Sequence, residues 1–424
     1  MDILTQLLKD IPIPPMVKIR QQFDDTQLAD PAGALRETLA QPKAAQAIRP
    51  GQQVAVAVGS RGVANIAELT RETIVAIKAA GGQPFIVPSM GSHGGASAEG
   101  QAEVLAHLGI TEETVGAPIR STMEVVEIGK LDNGLPVYVD RFAYEADAIV
   151  VINRIKPHTA FRGAIESGIM KMLAIGLGKQ KGAEACHQLG FKYMAVNVPL
   201  MARMMLEKLP VAYGVAVVEN AYDQTRHVEI LTPDILEERE MVLLEMAKAN
   251  MPKLLFDQID VLVIDYIGKN ISGDGMDPNV TGRYPTPYAT GGPDVSKMVI
   301  LDLTPETKGN ANGIGTADFT TQRLVDGTDL ATMYANGLTS TVCAPTKIAT
   351  TLANDRLAIQ AAVKTCNILD YTTCKLVRIK DTLHLGEIEI SVNLLEAAKL
   401  HTGIEVLSSE PYEWTFDAQG NLTK

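Results

Sequence analysis

Lys171 and His187, sixteen residues apart in HTAFRGAIESGIMKMLAIGLGKQKGAEACH (158–187), are the side chains in this sequence most suited to chemistry. Ile169, Met170, Met172, Leu173, Ile175 and Leu177 make a nearly all-round apolar segment in which Lys171 is the lone charge. Such a helix is expected to be buried. An ammonium in that setting must be paired, neutral, snorkelling to water or covalently modified, because burying it unpaired costs several kcal/mol. On an unbroken helix, sixteen residues at roughly 100° each would leave Lys171 and His187 about 160° apart. Gly176 and Gly178 are expected to end the first helix, and a second short helix from about Gly182 lets His187 return toward Lys171. The pattern points to a cofactor site.

Of seven histidines, His93, His158 and His187 fall in glycine-rich or strand-end segments, whereas His107, His227, His384 and His401 lie in ordinary amphipathic contexts. His93, in GSHGGAS, precedes an expected helix start at Ser97, where backbone N–H groups could receive an anion. Pro157 stiffens the exit from a buried strand and aims His158 at that strand's carboxyl end. Arg61, in GSRG after the first strand of the α/β pattern, suits a bidentate clamp on a carboxylate or phosphate. The loop GKNISGDGMDPNVTGR (268–283) gathers Lys269, Asn270, Ser272, Asp274, Asp277, Asn279 and Arg283 after a buried run, which suggests ligand contact. It has neither the order nor the terminal glutamate of an EF-hand, and GLGKQKG (176–182) lacks Walker spacing. Cys186, Cys343, Cys366 and Cys374 show no zinc-type pairing; Cys186 stands out only by adjoining His187, and a small buried hydrophobe is its favoured reading.

The elements that must position these residues follow from the hydrophobic patterning. VAVAV (54–58), NIAELTRETIVAIKAAGG (65–82), PFIVP (84–88) and ASAEGQAEVLAHLG (96–109) read as βαβα and therefore as a parallel sheet. DAIVVINRI (147–155) and VAYGVAVVE (211–219) add buried strands. GSRGVA (59–64), SMGSHGGAS (89–97) and KPHTAFRG (156–163) all follow strands, where open α/β sheets bind ligands. After the acidic, Met-rich helix LEEREMVLLEMAKAN (236–250), IDVLVIDYIG (259–268) opens a second α/β unit with strands at SKMVILDL and EIEISV and a helix at RLAIQAAVKTC. At 424 residues the chain is expected to form two α/β domains with mainly parallel sheets, 1–253 for cofactor binding and catalysis and 254–424 closing a cleft between them. A charge of −12, from 38 basic and 50 acidic residues, argues against a nucleic-acid or anionic-membrane footprint and for a small substrate. The sequence shows no membrane-length apolar run, and its start lacks signal-peptide order, so a cytoplasmic protein is expected.

Together these residues resemble the nickel-dependent lactate racemase family. The resemblance rests on Pro157-His158, the S-G-x-x-K of Ser167-Gly168-Ile169-Met170-Lys171, His187 sixteen residues later, Gly91-Ser92-His93, and Arg61. It implies two α/β domains and a nickel-pincer nucleotide, a pyridinium mononucleotide that binds nickel through carbon and two sulfurs. It also implies that Lys171 tethers the cofactor as a thioamide, with Ser60, Ser167 and Gly168 among its contacts. His187 would be the protein's nickel ligand, His93 and His158 the acid/base pair, and Arg61 the anchor of a substrate carboxylate. The activity implied is racemisation or epimerisation of a 2-hydroxy acid by hydride transfer to and from the cofactor. Cofactor biosynthesis proteins would then be partners, and a homo-oligomer is compatible with it.

The chain departs from the lactate racemase pattern in two places. The interval between His158 and Lys171 is a few residues longer and carries Ala164-Ile165-Glu166, and the 268–283 loop is more polar. Lys269, Asp277 and Asn279 in that loop are expected to contact substrate, which favours a polar acid such as an aldonate or a dicarboxylate. Two rival readings use the same side chains: a hydrolase or lyase in which His93, His158 and His187 share one metal, and a non-catalytic nucleotide or nickel carrier.

Overall fold

The computed structural model describes residues 3–60, 62–408 and 410–423. The chain divides into two compact units, one formed by residues 24–251 and the other by 1–23 together with 252–424. Both are α/β with mainly parallel sheets, as the patterning predicts.

In the unit 24–251 the sheet order is Gln83–Pro88, Gln53–Val58, Ala148–Arg154, Val211–Glu219, Thr225–Leu231. The first four strands are parallel and the last is antiparallel. Strands covered on both faces need apolar side chains on both, which is why QVAVAV and AIVVINR read as continuous rather than alternating runs. One face buries Val54, Val56, Val58, Val150, Ile152, Val215 and Val217 against Leu35, Leu39, Ile66, Leu69 and Ile77. Gly214 in the fourth strand marks a close approach: a Cβ there would stand 2.9 Å from Cγ2 of Ile169, so the Ile169 side chain, two residues before Lys171, packs directly on the sheet. A two-stranded antiparallel hairpin, Val125–Lys130 with Pro136–Asp140, is an addition that the sequence reading does not contain.

The other unit carries an eight-stranded sheet in the order Thr350–Leu352, Phe319–Thr321, Asp294–Leu303, Gln258–Ile267, Leu376–Ile379, Glu387–Ser391, Met16–Gln21, Ile404–Val406. Its first five strands are mutually parallel, and the remaining pairings are antiparallel. The expected first domain, 1–253, is therefore corrected at its start. MVKIRQ (16–21) alternates buried and exposed side chains and pairs on one edge with Glu387–Ser391 and on the other with Ile404–Val406, so the first 23 residues belong to the C-terminal unit.

Candidate functional site

Because the strands Gln83–Pro88, Gln53–Val58 and Ala148–Arg154 are adjacent and parallel, the loops that follow them emerge at one edge of the sheet. Those loops carry Ser60, His93 and His158. Ser60 and His93 meet, with Oγ 2.5 Å from Nδ1. Ser97 caps the helix Ala98–His107 by accepting the Gly100 N–H, so its hydroxyl serves the helix start that was expected there. Arg61 lies outside the described residues. Further along the chain, Glu219 accepts the Ala64 N–H and pairs with Arg154.

The segment bearing Lys171 begins at Gly168, whose carbonyl accepts from Asn153 Nδ2 at 2.9 Å, while Ser167 and Lys156 exchange backbone hydrogen bonds. A Cβ at Gly168 would lie 2.4 Å from Oε1 of Glu240, so a side chain there would have to displace the Glu240 carboxylate. Ile169–Lys171 is helical and runs into a π-helical turn, Met172–Gly176, with the Leu177 N–H bonded to the Met172 carbonyl; the chain then re-enters an α-helix at Lys179–His187. The second helix thus starts at Lys179 rather than near Gly182. A π turn accommodates one extra residue and so rotates everything after it by about 100° relative to a plain α-helix. Ile169, Met170, Met172, Leu173, Ile175 and Leu177 are buried, as their pattern predicts, and Lys171 itself is half-buried.

Lys171, His158 and His187 converge. The Lys171 ammonium disfavours the charged form of both imidazoles, and His187 does the same to His158. Phe191 lies between the rings, its centroid 5.3 Å from that of His187 and 6.1 Å from that of His158, with Phe161 4.4 Å from His158. Desolvation is the largest cause holding His158 well below the usual histidine range, followed by the charges of Lys171, His187, Lys156 and Arg162. Burial also lowers His187, against the opposing pull of its bond to Ala183 and with a smaller push from Lys171.

Hydrogen bonding fixes which nitrogen each ring offers. Nδ1 of His187 lies 2.6 Å from the Ala183 carbonyl, which can only accept. Nδ1 therefore carries the proton and Nε2 keeps its lone pair, the form that binds a metal. His158 is the reverse: its Nδ1 accepts the Ala160 N–H at 3.0 Å, so the neutral ring carries its proton on Nε2. Using Nε2 of His158 as a base requires exchanging tautomers and releasing Ala160, at a cost of about 1 kcal/mol for the lost bond.

Two carboxylates that the sequence reading did not assign hold this arrangement. Glu166, fully buried, accepts the His158 N–H at 2.7 Å, binds Arg162 at 3.3 Å and pairs with Lys248 at 3.2 Å, so the departure at 164–166 supplies the brace for the His158 loop. Glu240 accepts the Met170 N–H at 3.0 Å, at the start of the lysine-bearing helix. Burial pushes its carboxyl up to about 7, against the stabilising backbone N–H groups of Met170 and Ile169. A carboxyl raised from 4.5 stabilises the folded state at low pH, and that contribution is lost as pH rises toward 7. Urea denaturation at about pH 5 and about pH 8 is expected to show wild type losing about 2.5 kcal/mol more than Glu240→Gln over that interval; parallel losses would show that Glu240 does not carry this dependence.

Cys186 is chemically quiet. Burial pushes its thiol up to about 12, and its sulfur lies 3.7 Å from that of Met194. In the other unit, Lys269 Nζ donates to the Gly273 carbonyl at 2.5 Å, and Asp277 caps the short helix Pro278–Thr281 by accepting from both nitrogens of Asn279. Asn279 in turn accepts from the Tyr284 hydroxyl. These three expected substrate contacts thus take part in folding their own loop. Among the described residues no three His, Cys, Asp or Glu side chains are arranged to hold a metal ion, and no helix is long and apolar enough to cross a membrane.

Residues 12–196, which contain Ser60, His93, His158, Lys171 and His187 but not Glu219, Glu240 or Lys248, match the lactate racemase N-terminal domain. Over that segment the chain is similar to the lactate racemase family. The structure of the lactate racemase apoprotein from Thermoanaerobacterium thermosaccharolyticum aligns over 92% of this chain and 96% of that chain, with a TM-score of 0.47 and 13% sequence identity. The comparison with curated proteins gives no match.

Proposed function

We propose that this protein is a nickel-pincer-nucleotide-dependent racemase or epimerase of a polar 2-hydroxy acid. The observation that carries the proposal is the placement of Lys171 beside a neutral His187 that offers its Nε2 lone pair. The residues fit the group: conversion of Lys171 to a thioamide removes the ammonium from a largely apolar, histidine-flanked segment, and a cofactor that brings its own carbon and sulfur donors needs only one ligand from the protein. When bound, the nucleotide would supply the acceptor and donor of the substrate hydride. Lys171 holds it covalently, with Ser60, Ser167 and Gly168 as further contacts, and His187 completes the metal's coordination.

Inversion at a hydroxyl-bearing carbon also requires proton transfer at the hydroxyl oxygen on whichever side it lies. His93 and His158 are assigned that task, imidazole being suited to it near neutral pH. Arg61 is assigned the substrate carboxylate. The hydroxyl, amide and charged groups of the 268–283 loop favour an aldonate or a dicarboxylate over lactate. Lys269, Asp277 and Asn279 are the residues proposed for that preference. The arrangement of side chains favours this reading over a three-histidine hydrolase or lyase, since His93, His158 and His187 are not grouped as ligands of one ion.

Substrate deuterated at its hydroxyl-bearing carbon tests the route. Product formed in ordinary water is expected to keep most of its deuterium there, as hydride transfer demands. Extensive wash-out would mean proton abstraction from carbon and would sink the proposal.

A further inference from the structure

Lys179 is an unusual residue for an interior. Its φ of 55° lies in the left-handed region that few residues other than glycine adopt, and its side chain is fully buried. The ammonium donates to the Pro88 carbonyl and to Gln101 Oε1 at 2.9 Å, and lies 3.2 Å from Asp140 Oδ2. It therefore joins the end of the strand Gln83–Pro88, the helix Ala98–His107, the end of the hairpin strand Pro136–Asp140 and the start of its own helix. Gln101, also fully buried, uses its amide nitrogen on the loop between: Nε2 donates to the Gly91 carbonyl at 2.8 Å and to the His93 carbonyl at 3.2 Å. From the other side Gly91 donates its N–H to the Gly176 carbonyl at the end of the π turn.

A buried ion pair is weak as a source of stability, since a well-packed apolar replacement is often as good or better. An apolar replacement could not, however, grip two loop carbonyls. We propose that Lys179, Asp140 and Gln101 are positioning residues that fix the backbone at His93 against the segment carrying Lys171 and His187. The inference rests on the role assigned to His93 under the proposed function. Its physical core is a chain of contacts from the Asp140 carboxylate through the Lys179 ammonium and the Gln101 amide to the His93 carbonyl.

Gln101→Met tests this while leaving the Lys179–Asp140 pair and the Pro88 contact in place. In protein without cofactor and with ring-labelled histidine, the His93 imidazole NMR signal is expected to shift and broaden while those of His158 and His187 stay put. In enzyme supplied with cofactor, the Lys171 adduct is expected at the wild-type level, with kcat about 10- to 100-fold lower and KM little changed, as for a misplaced acid/base group. Gln101→Glu keeps an acceptor for Lys179 but has no donor for the carbonyls, so it is expected to match Gln101→Met and serves if the first variant folds poorly. An unmoved His93 signal in either folded variant overturns the proposal, as does wild-type kcat at full adduct. Absence of the adduct from wild-type enzyme would instead defeat the cofactor reading, and the NMR comparison would still decide the positioning role.

Discussion

Lys171→Ala protein, made together with the cofactor pathway, is expected to show no detectable turnover of any 2-hydroxy acid, and its His158 is expected to titrate at higher pH than in wild-type protein lacking cofactor. The first effect follows from loss of the tether. The second follows from the geometry alone: the Lys171 ammonium opposes protonation of His158, so removing it raises the midpoint. The direction is fixed by sign, because a positive neighbour favours neutral imidazole. Acid/base titration followed by NMR checks it, and an unmoved His158 midpoint would mean that the two groups are not coupled. Desolvation, the larger cause, remains in the variant, so His158 should still titrate below an exposed histidine. The fold should survive, since Lys171 is only half-buried and its neighbours on the segment supply the packing.

His93→Ala and His158→Ala are each expected to lower kcat by about 10²- to 10⁴-fold, the usual range for loss of a general acid or base, at an unchanged level of Lys171 adduct. The two should differ in one respect. His158 rests with its proton on Nε2 and its Nδ1 held by Ala160, whereas the Ser60 hydroxyl facing His93 can either donate or accept. His158→Gln, which restores a hydrogen-bond donor but no base, is therefore expected to recover more activity than His93→Gln. Kinetics run from both enantiomers, with adduct measured by mass, would decide it. Near-wild-type turnover in either alanine variant would remove that histidine from the mechanism.

Much of the architecture was legible because it rests on local patterns. VAVAV, PFIVP and DAIVVINRI read as buried strands and are strands, and the helix 236–250 falls where its composition places it. The glycines after Ile175 correctly indicated a break that permits Lys171 and His187 to approach. The π turn was not legible, since no residue type specifies one, and it moved the second helix start to Lys179. Strand 16–21 was missed for a different reason. Its partners lie more than 360 residues away, and nothing local says which sheet an alternating strand will join. Neither the burial of Lys179 nor that of Glu166 is legible in sequence, because burial of a charged group depends on partners that only tertiary structure supplies: Asp140 and Gln101 for the one, Arg162, Lys248 and the His158 N–H for the other. The length added between His158 and Lys171 gave a signal for Glu166. The spacing alone could not say that it was a brace.

The central claim is that Lys171 carries the cofactor and His187 its metal. Intact mass with nickel analysis, on wild-type protein made with and without a nickel-pincer pathway and on Lys171→Ala made with it, tests that claim most directly. The account predicts a pathway-dependent mass increment on wild type, about one nickel per chain, and neither in Lys171→Ala. Wild-type protein without the increment, under conditions in which another enzyme of the class acquires it, would contradict the account.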